Sequence, residues 1–192
     1  MNKTFSIAII FAAVSTFSAN ADSAFGIEYG AELPPGAEDA GRGYFFVKSP
    51  SKPHSLLDVY AVKYTAETGV CEIMASSEDF IWDKRGKKAK PVCDKLAEAL
   101  DRKYGPKGNT REELKRVSSL YGNNFAMTLR QGDREHKRWF LPSADNKNEF
   151  DYVEIMIHSA NGSDTYIILH YKNRSLSEDC NTRLSEADTD SL

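Results

Sequence analysis

The most reactive side chains in this 192-residue sequence belong to three cysteines, Cys71, Cys93 and Cys180. Cys71 lies in GVCEIMASS, a β-rich run whose odd-numbered positions are the more uniformly apolar. Alternation therefore places Cys71 on the core side of a strand, where a thiol is usually inert. Three cysteines allow at most one internal pair. Because the core side of this strand would face the helix that carries Cys93, geometry favours a Cys71–Cys93 disulfide.

A metal site would need several histidines in convergent positions. The chain has four, His54, His136, His158 and His170. His158 and His170 share the last predicted hairpin, and a two- or four-residue turn would place them on opposite faces of the sheet. Only an odd loop length would bring them to one face. The sequence also has no Gly-x-Ser-x-Gly, Cys-x-x-Cys or His-Glu-x-x-His motif. We therefore predict no metal, no cofactor and no catalytic residue.

Two basic stretches that each carry a tryptophan are the best candidates for binding. The first, WDKRGKKAK, contains Trp82, Lys84, Arg85, Lys87, Lys88 and Lys90. The second, REHKRW, contains Arg134, Lys137, Arg138 and Trp139. Tryptophan and arginine are enriched where proteins bind partners, and clustered cations favour an anionic surface such as lipid headgroups or an acidic partner. The alternative is a solvated loop that leads into a helix.

The first residues, MNKTFSIAIIFAAVSTFSANA, combine Lys3, an apolar run and the small residues Ala19 and Ala21. The run is shorter than the roughly 20 residues that span a bilayer, so the pattern predicts a signal peptide over 1–21, cleaved near Ala21. Cleavage would leave 171 residues (192 − 21) with a net charge of −4 (24 basic against 28 acidic residues). That length suits one domain, and the mild acidity disfavours nucleic acid as a partner. No other apolar stretch is long enough to span a membrane, so we expect a soluble periplasmic or secreted protein.

The positions of glycine and proline residues predict where the secondary-structure elements begin and end. Residues 22–43, rich in Gly, Pro and acids, predict an irregular segment that pins Phe25 and Ile27 onto the body. Residues 44–176 predict a single α+β domain with strands over 44–76 and a helix over 91–104, which begins at Pro91.

The second half of the chain predicts a further candidate helix and two hairpins. Thr110 and Glu113 have capping-box spacing for a helix over 110–121. One hairpin is predicted to turn at 131–133 and the other at Asn161-Gly162. Residues 177–192 are expected to form a polar, partly mobile tail. The order of elements predicts an antiparallel sheet with one or two helices packed on one face.

Four short motifs together resemble a group of small exported, periplasmic bacterial proteins. They are AFGIEYG, GVCEIMA, LAEALDRKYGP and YIILHYKN with the later Cys180. They match the group's Phe-Gly opening, Gly-Val-Cys strand, Lys-Tyr-Gly helix end and late cysteine. Between Thr110 and Pro142 the group tends to have a Trp-bearing loop in place of the second helix. The resemblance implies an envelope location and a Cys71–Cys180 disulfide, and it carries over no catalytic residue.

These observations predict an exported bacterial envelope protein that binds a partner without catalysis. The expected partner is an envelope protein or an anionic surface. The alternative is an envelope hydrolase built on scattered polar residues without a recognisable motif. The cysteine pairing stays open between Cys71–Cys93 and Cys71–Cys180.

Overall fold

The computed structural model describes residues 23–104, 109–114, 122–140 and 152–190. The predicted signal peptide over 1–21 lies outside these residues. Within the described part, the elements in chain order are β1 (Ser23–Ala24), β2 (Ile27–Glu28), β3 (Glu38–Gly41), β4 (Tyr44–Phe46), β5 (Val59–Thr65), β6 (Gly69–Ser76), α1 (Ala89–Tyr104), β7 (Asn109–Leu114), α2 (Phe125–Arg130), β8 (Arg134–Phe140), β9 (Tyr152–His158), β10 (Tyr166–Lys172) and α3 (Arg174–Asp190).

The main sheet has eight strands in the order β3-β4-β5-β6-β10-β9-β8-β7, and each neighbouring pair is antiparallel. β1 and β2 form a separate two-stranded ribbon. The antiparallel α+β architecture that the sequence predicts is confirmed. β5 and β6 form the expected hairpin, with Thr65 paired to Gly69.

The predicted first helix is confirmed, and it begins two residues early, at Ala89. Its apolar stripe includes Cys93, Leu96 and Leu100 and packs over β8, β9 and β10. The sheet face beneath it carries the odd-numbered residues of β9, among them the buried Ile155. We call this side the α1 face. Burying one face of the sheet against an apolar helix stripe is the main hydrophobic contribution to the fold.

A β-bulge in β6 changes where Cys71 points. Lys63 pairs with Glu72, while the next residue, Tyr64, pairs with Val70, so Cys71 is an extra residue in the ladder. Such a residue leaves the strict alternation of the strand. Cys71 therefore does not share the α1 face with Ile73, as the alternation predicted. It turns towards α3, which crosses the opposite face over β5 and β6. We call that side the α3 face.

Two predictions between the first helix and the last hairpin are wrong. Residues 109–114, expected to begin a second helix, form strand β7, which pairs along its whole length with β8. Ladder hydrogen bonds from β8 satisfy this backbone in place of a helical cap. The rest of that predicted helix, 115–121, lies outside the described residues.

Residues 125–130, expected as the first strand of a hairpin, form α2. The side chain of Asn124 accepts a hydrogen bond from the Met127 backbone N–H, which makes Asn124 the N-cap. Phe125, Ala126 and Thr128 are buried. Because β8 is already paired on both sides, with β7 and β9, the strand expected over 125–130 has no edge left to join.

Both ends of the described chain are more ordered than the sequence indicated. β3, in the segment expected to be irregular, pairs with β4 and forms one edge of the sheet. Phe25 contacts the rings of Tyr60 and Tyr171 edge-to-face, so the expected pinning of Phe25 is confirmed. Of the polar tail expected over 177–192, residues 177–190 belong to α3, which begins at Arg174, and the last two lie outside the described residues.

Candidate functional site

The disulfide joins Cys71 of β6 to Cys180 of α3, with the two Cα atoms 6.5 Å apart. This is the pairing that the resemblance implied, and the Cys71–Cys93 alternative is wrong because the bulge turns Cys71 away from α1. Cys93 is a free, buried thiol. Burial, together with the neighbouring charge of Asp94, raises the pKa of Cys93 to about 12. A thiol with that pKa is not a nucleophile near neutral pH.

A polar cluster lies on the α3 face where α3 crosses the sheet. His170 Nε2 is 2.8 Å from Glu72 Oε2, and both side chains are buried. The Tyr44 hydroxyl donates to the same carboxylate oxygen at 3.4 Å. Lys63 Nζ lies 3.9 Å from Glu72 Oε1 and also donates to Asn181 of α3. The cluster therefore ties four strands, β4, β5, β6 and β10, to α3 around one carboxylate.

The pKa shifts in this cluster favour a structural role over a catalytic one. Burial alone would raise the pKa of Glu72, but the hydrogen bond and charge of His170, with the charges of Lys172 and Lys63, lower it below its usual value. Burial and the adjacent Glu72 raise the pKa of Tyr44 to about 12. A catalytic triad places the histidine between hydroxyl and carboxylate. Here the carboxylate lies in the centre, so the tyrosine is held protonated rather than activated.

The prediction that His158 and His170 face opposite sides is wrong. Tyr166 pairs with His158 across a seven-residue connection, 159–165, and His170 pairs with Glu154. The odd loop length puts both histidines on the α3 face. They are still about 13 Å apart along the ladder, too far to share a metal ion. Across the described residues, no group of three or more His, Cys, Asp or Glu side chains is arranged to hold a metal.

The first basic stretch forms a tightly anchored loop, which we call the basic loop (residues 81–90). Its internal anchor is Asp83, which is buried. Oδ1 of Asp83 accepts the Lys88 backbone N–H at 3.0 Å, and Oδ2 accepts that of Ala89, also at 3.0 Å. The buried Thr165 hydroxyl donates to Oδ2 at 2.8 Å. Asp83 thus supplies the N-terminal hydrogen bonds of α1 and connects the loop to Thr165, the residue before β10.

Gly86 brings the loop into direct contact with α2. Its φ is +71°, and a Cβ atom there would lie 2.6 Å from Cδ1 of Phe125. The Ala126 backbone N–H donates to the Lys84 carbonyl at 3.3 Å. Lys90 places its ammonium 4.6 Å from the centroid of the Phe125 ring. These contacts give the loop a rigid base on the buried part of α2.

The burial pattern of the loop repeats every three residues. Asp83, Gly86 and Ala89 point inward, and the pairs between them are exposed. The exposed side chains are Ile81, Trp82, Lys84, Arg85, Lys87 and Lys88. Two apolar side chains and four cations are therefore exposed together within residues 81–88.

Trp82 is the most prominent of these exposed side chains. Its side chain is 74 % exposed although its backbone has φ +57°, a conformation that bulky residues rarely adopt. The Trp82 backbone N–H donates to Asp164 Oδ1 at 2.7 Å, and the Lys88 ammonium donates to the Ile81 carbonyl at 2.6 Å. The hydrogen bonds from the Trp82 backbone and the Asn161 side chain lower the pKa of Asp164. Asp164 is therefore ionised at neutral pH and holds Trp82 outward.

The second basic stretch lies in β8, where successive side chains point to opposite faces of the sheet. Lys137 lies between Glu154, at 3.4 Å, and Glu135, at 3.7 Å. Arg138 points to the other side and lies 3.5 Å from Asp101 of α1. Arg134 donates to the Thr128 hydroxyl at 3.1 Å, and the Trp139 ring lies 4.7 Å from the Lys137 ammonium. These cations are partly buried and paired within the molecule, so they do not join the basic loop in one surface.

Two features of the site carried weaker signals in the sequence. Asp83 precedes the basic run, but nothing local indicates that Thr165 and the start of α1 converge on it. Glu72 is a charged residue within an otherwise apolar strand, which does indicate a buried partner. The identity of that partner, His170, depends on β6 lying beside β10.

Comparison of the chain with protein-family models, with curated proteins and with solved structures found no match. None of the described helices is long and apolar enough to cross a membrane.

Proposed function

We propose that this protein is an exported, non-catalytic binding protein of the bacterial envelope that binds an anionic partner through the basic loop. The observation that carries the proposal is Trp82, a 74 % exposed indole on a backbone held in a strained conformation. Strained backbone persists only where the surroundings enforce it, and such strain clusters at functional sites. Here the enforcing groups are Asp164 and Lys88.

Pre-organisation supports binding over a merely solvated turn. A solvated turn needs neither an outward indole nor a buried carboxylate beneath it. A binding loop benefits from both, because a side chain already held in place loses less entropy on association. Tryptophan and arginine are also the residues that most often dominate binding energy. The Lys84 ammonium, 5.6 Å from the centroid of the Trp82 ring, joins charge and apolar area in one feature.

The proposed location rests on two independent features. The segment over 1–21 has the zones of a secretory signal. The Cys71–Cys180 disulfide is a bond that persists in oxidising compartments such as the periplasm. N-terminal sequencing of the protein from an envelope fraction tests the location, and an intact Met1 would contradict it.

The test of binding is a pull-down from envelope extract with charge reversal of the loop. Changing Lys84, Arg85, Lys87 and Lys88 to Glu should abolish the binding of a partner whose capture is salt-sensitive. The matched control changes four exposed cations elsewhere, Lys48, Lys52, Arg102 and Arg183, to Glu and should retain that partner. If the loop variant retains every partner, the basic loop is only a solvated turn and the proposal is wrong.

A further inference from the structure

We infer that the anionic partner of the basic loop is the surface of a membrane that contains anionic lipids, and that Trp82 lies among the headgroups. This inference rests on the proposed function, because it names the partner of the same loop. It adds a mode of binding: contact with the surface of the bilayer without spanning it.

Exposed apolar side chains are concentrated at one end of the sheet. Among the described residues, the large hydrophobic side chains that are exposed are Phe46, Leu56, Val59, Ile81 and Trp82. Phe46 ends β4, Val59 begins β5, and Ile81 and Trp82 follow the end of β6. Adjacent antiparallel strands run in opposite directions, so one strand ends where its neighbour begins. These residues therefore lie at the end of the sheet where β4 and β6 finish and β5 and β10 begin. Scattered exposed hydrophobics are ordinary, but their concentration at one end indicates a contact surface.

Cations flank the most exposed part of that end. Lys84 lies over the Trp82 ring and Lys88 donates to the Ile81 carbonyl, while Arg85 and Lys87 are exposed in the same loop. Lysine and arginine stems lie along apolar surface while their charged ends reach outward, which suits a headgroup layer above an acyl boundary. Tryptophan is enriched at this depth because its ring is apolar and its N–H is polar.

Acidic residues near the loop restrict the orientation. Asp58 and Glu78 line a cavity of about 280 Å³ whose other lining residues include Leu57 and Phe80. These carboxylates would be repelled by anionic lipids. The contact is therefore led by Ile81 and Trp82 and does not extend over the cavity. Asp164, the carboxylate beside Trp82, accepts hydrogen bonds from the Trp82 backbone and the Asn161 side chain.

The composition of the loop favours lipid over an acidic protein. Three of the four flanking cations are lysines, which act as point charges, whereas recognition of carboxylates in a protein relies on the two-pronged geometry of arginine. The exposed apolar members at this end come from three separate segments of the chain. A fluid headgroup layer adapts to such a discontinuous apolar surface. An anionic lipid surface therefore fits both features.

The test uses vesicles of phosphatidylglycerol mixed with phosphatidylcholine, and vesicles of phosphatidylcholine alone. The chain has two tryptophans, so Trp139→Phe leaves Trp82 as the only indole. We expect a blue shift of Trp82 emission, and quenching by brominated lipid, with the anionic vesicles only. Binding should weaken as salt is raised.

Substitutions in the basic loop test how much each cation contributes to partitioning onto the anionic vesicles. Removing one cation near an anionic surface lowers partitioning about fivefold, so Arg85→Gln with Lys87→Gln should lower it roughly 25-fold. The matched control, Arg102→Gln with Arg183→Gln, should leave partitioning within about twofold of the parent, since these exposed cations lie in the last turn of α1 and in α3, away from the loop. Trp82→Ala in the otherwise native protein should reduce co-sedimentation with the vesicles.

The outcomes separate the inference from the proposed function. No binding to anionic vesicles, or equal binding to both vesicle types, overturns the lipid inference. If the pull-down still yields a protein partner that depends on the basic loop, the proposed function stands and its partner is that protein. If both experiments fail, the proposed function fails with the inference.

Discussion

Removing the Cys71–Cys180 disulfide should destabilise the protein by several kcal/mol. The two cysteines are 109 residues apart in sequence. The chain-entropy model then gives about 4.8 kcal/mol at 25 °C as an upper figure, and measured values of roughly 2–4 kcal/mol are typical. For a chain of this size, a loss of about 3 kcal/mol corresponds to a decrease in Tm of roughly 6–12 °C. We expect Cys71→Ala with Cys180→Ala to show a decrease in that range.

The assay is thermal unfolding followed by circular dichroism, with and without reductant. Wild-type protein should lose stability on reduction, whereas the double variant should have the same midpoint in both conditions. Cys93→Ala is the matched control: it changes the buried free thiol, so its midpoint must still respond to reductant. The reasoning is refuted if reduction leaves the wild-type midpoint unchanged, or if non-reducing peptide mapping recovers a Cys71–Cys93 peptide.

Three further predictions concern other parts of the fold. Glu72→Gln should destabilise by about 1–3 kcal/mol at neutral pH. Because the folded-state pKa of Glu72 is lowered, its contribution to the free energy of unfolding is complete above the unfolded-state pKa near 4.5. That contribution is lost as pH falls through the folded-state pKa, so the stabilities of the wild-type and Glu72→Gln proteins should converge in acid. Gly86→Ala should cost about 1–3 kcal/mol more than Gly132→Ala, since both residues have φ +71° but only Gly86 would drive a Cβ into Phe125. Equal urea midpoints for the two alanine variants would contradict that contact. Cys93 should resist alkylation at mildly alkaline pH and react after unfolding, because burial raises its pKa to about 12; rapid native labelling would count against it.

The sequence predicted best the elements whose signals are local. α1 has Pro91 in its first turn, Gly105 just beyond its last residue and an apolar stripe between them, and it forms over almost the expected range. The hairpin of β5 and β6 has alternating strands around a short polar link with Gly69, and it also forms. Each of these elements satisfies its own backbone or pairs with its neighbour along the chain, so nearby residues suffice to specify it.

Where several local structures were compatible with the same residues, the sequence prediction failed. Residues 109–114 have capping-box spacing, yet they pair with β8 because that strand offers a row of free backbone groups. Residues 125–130 read as a strand, yet Asn124 caps a helix there. The faces of His158 and His170 depended on one loop length, and the observed seven-residue connection reversed them.

The sequence alone determined that this chain forms an antiparallel α+β domain, that Cys71 lies in a strand, and that cations cluster around Trp82. Only the tertiary structure decided how these features are used. A one-residue bulge turned Cys71 from α1 to α3 and so selected Cys180 as its partner. Asp164, far along the chain, holds Trp82 outward. Periodicity reports which residues alternate, whereas bulges, loop lengths and strand order come from long-range packing, which no local window of sequence contains.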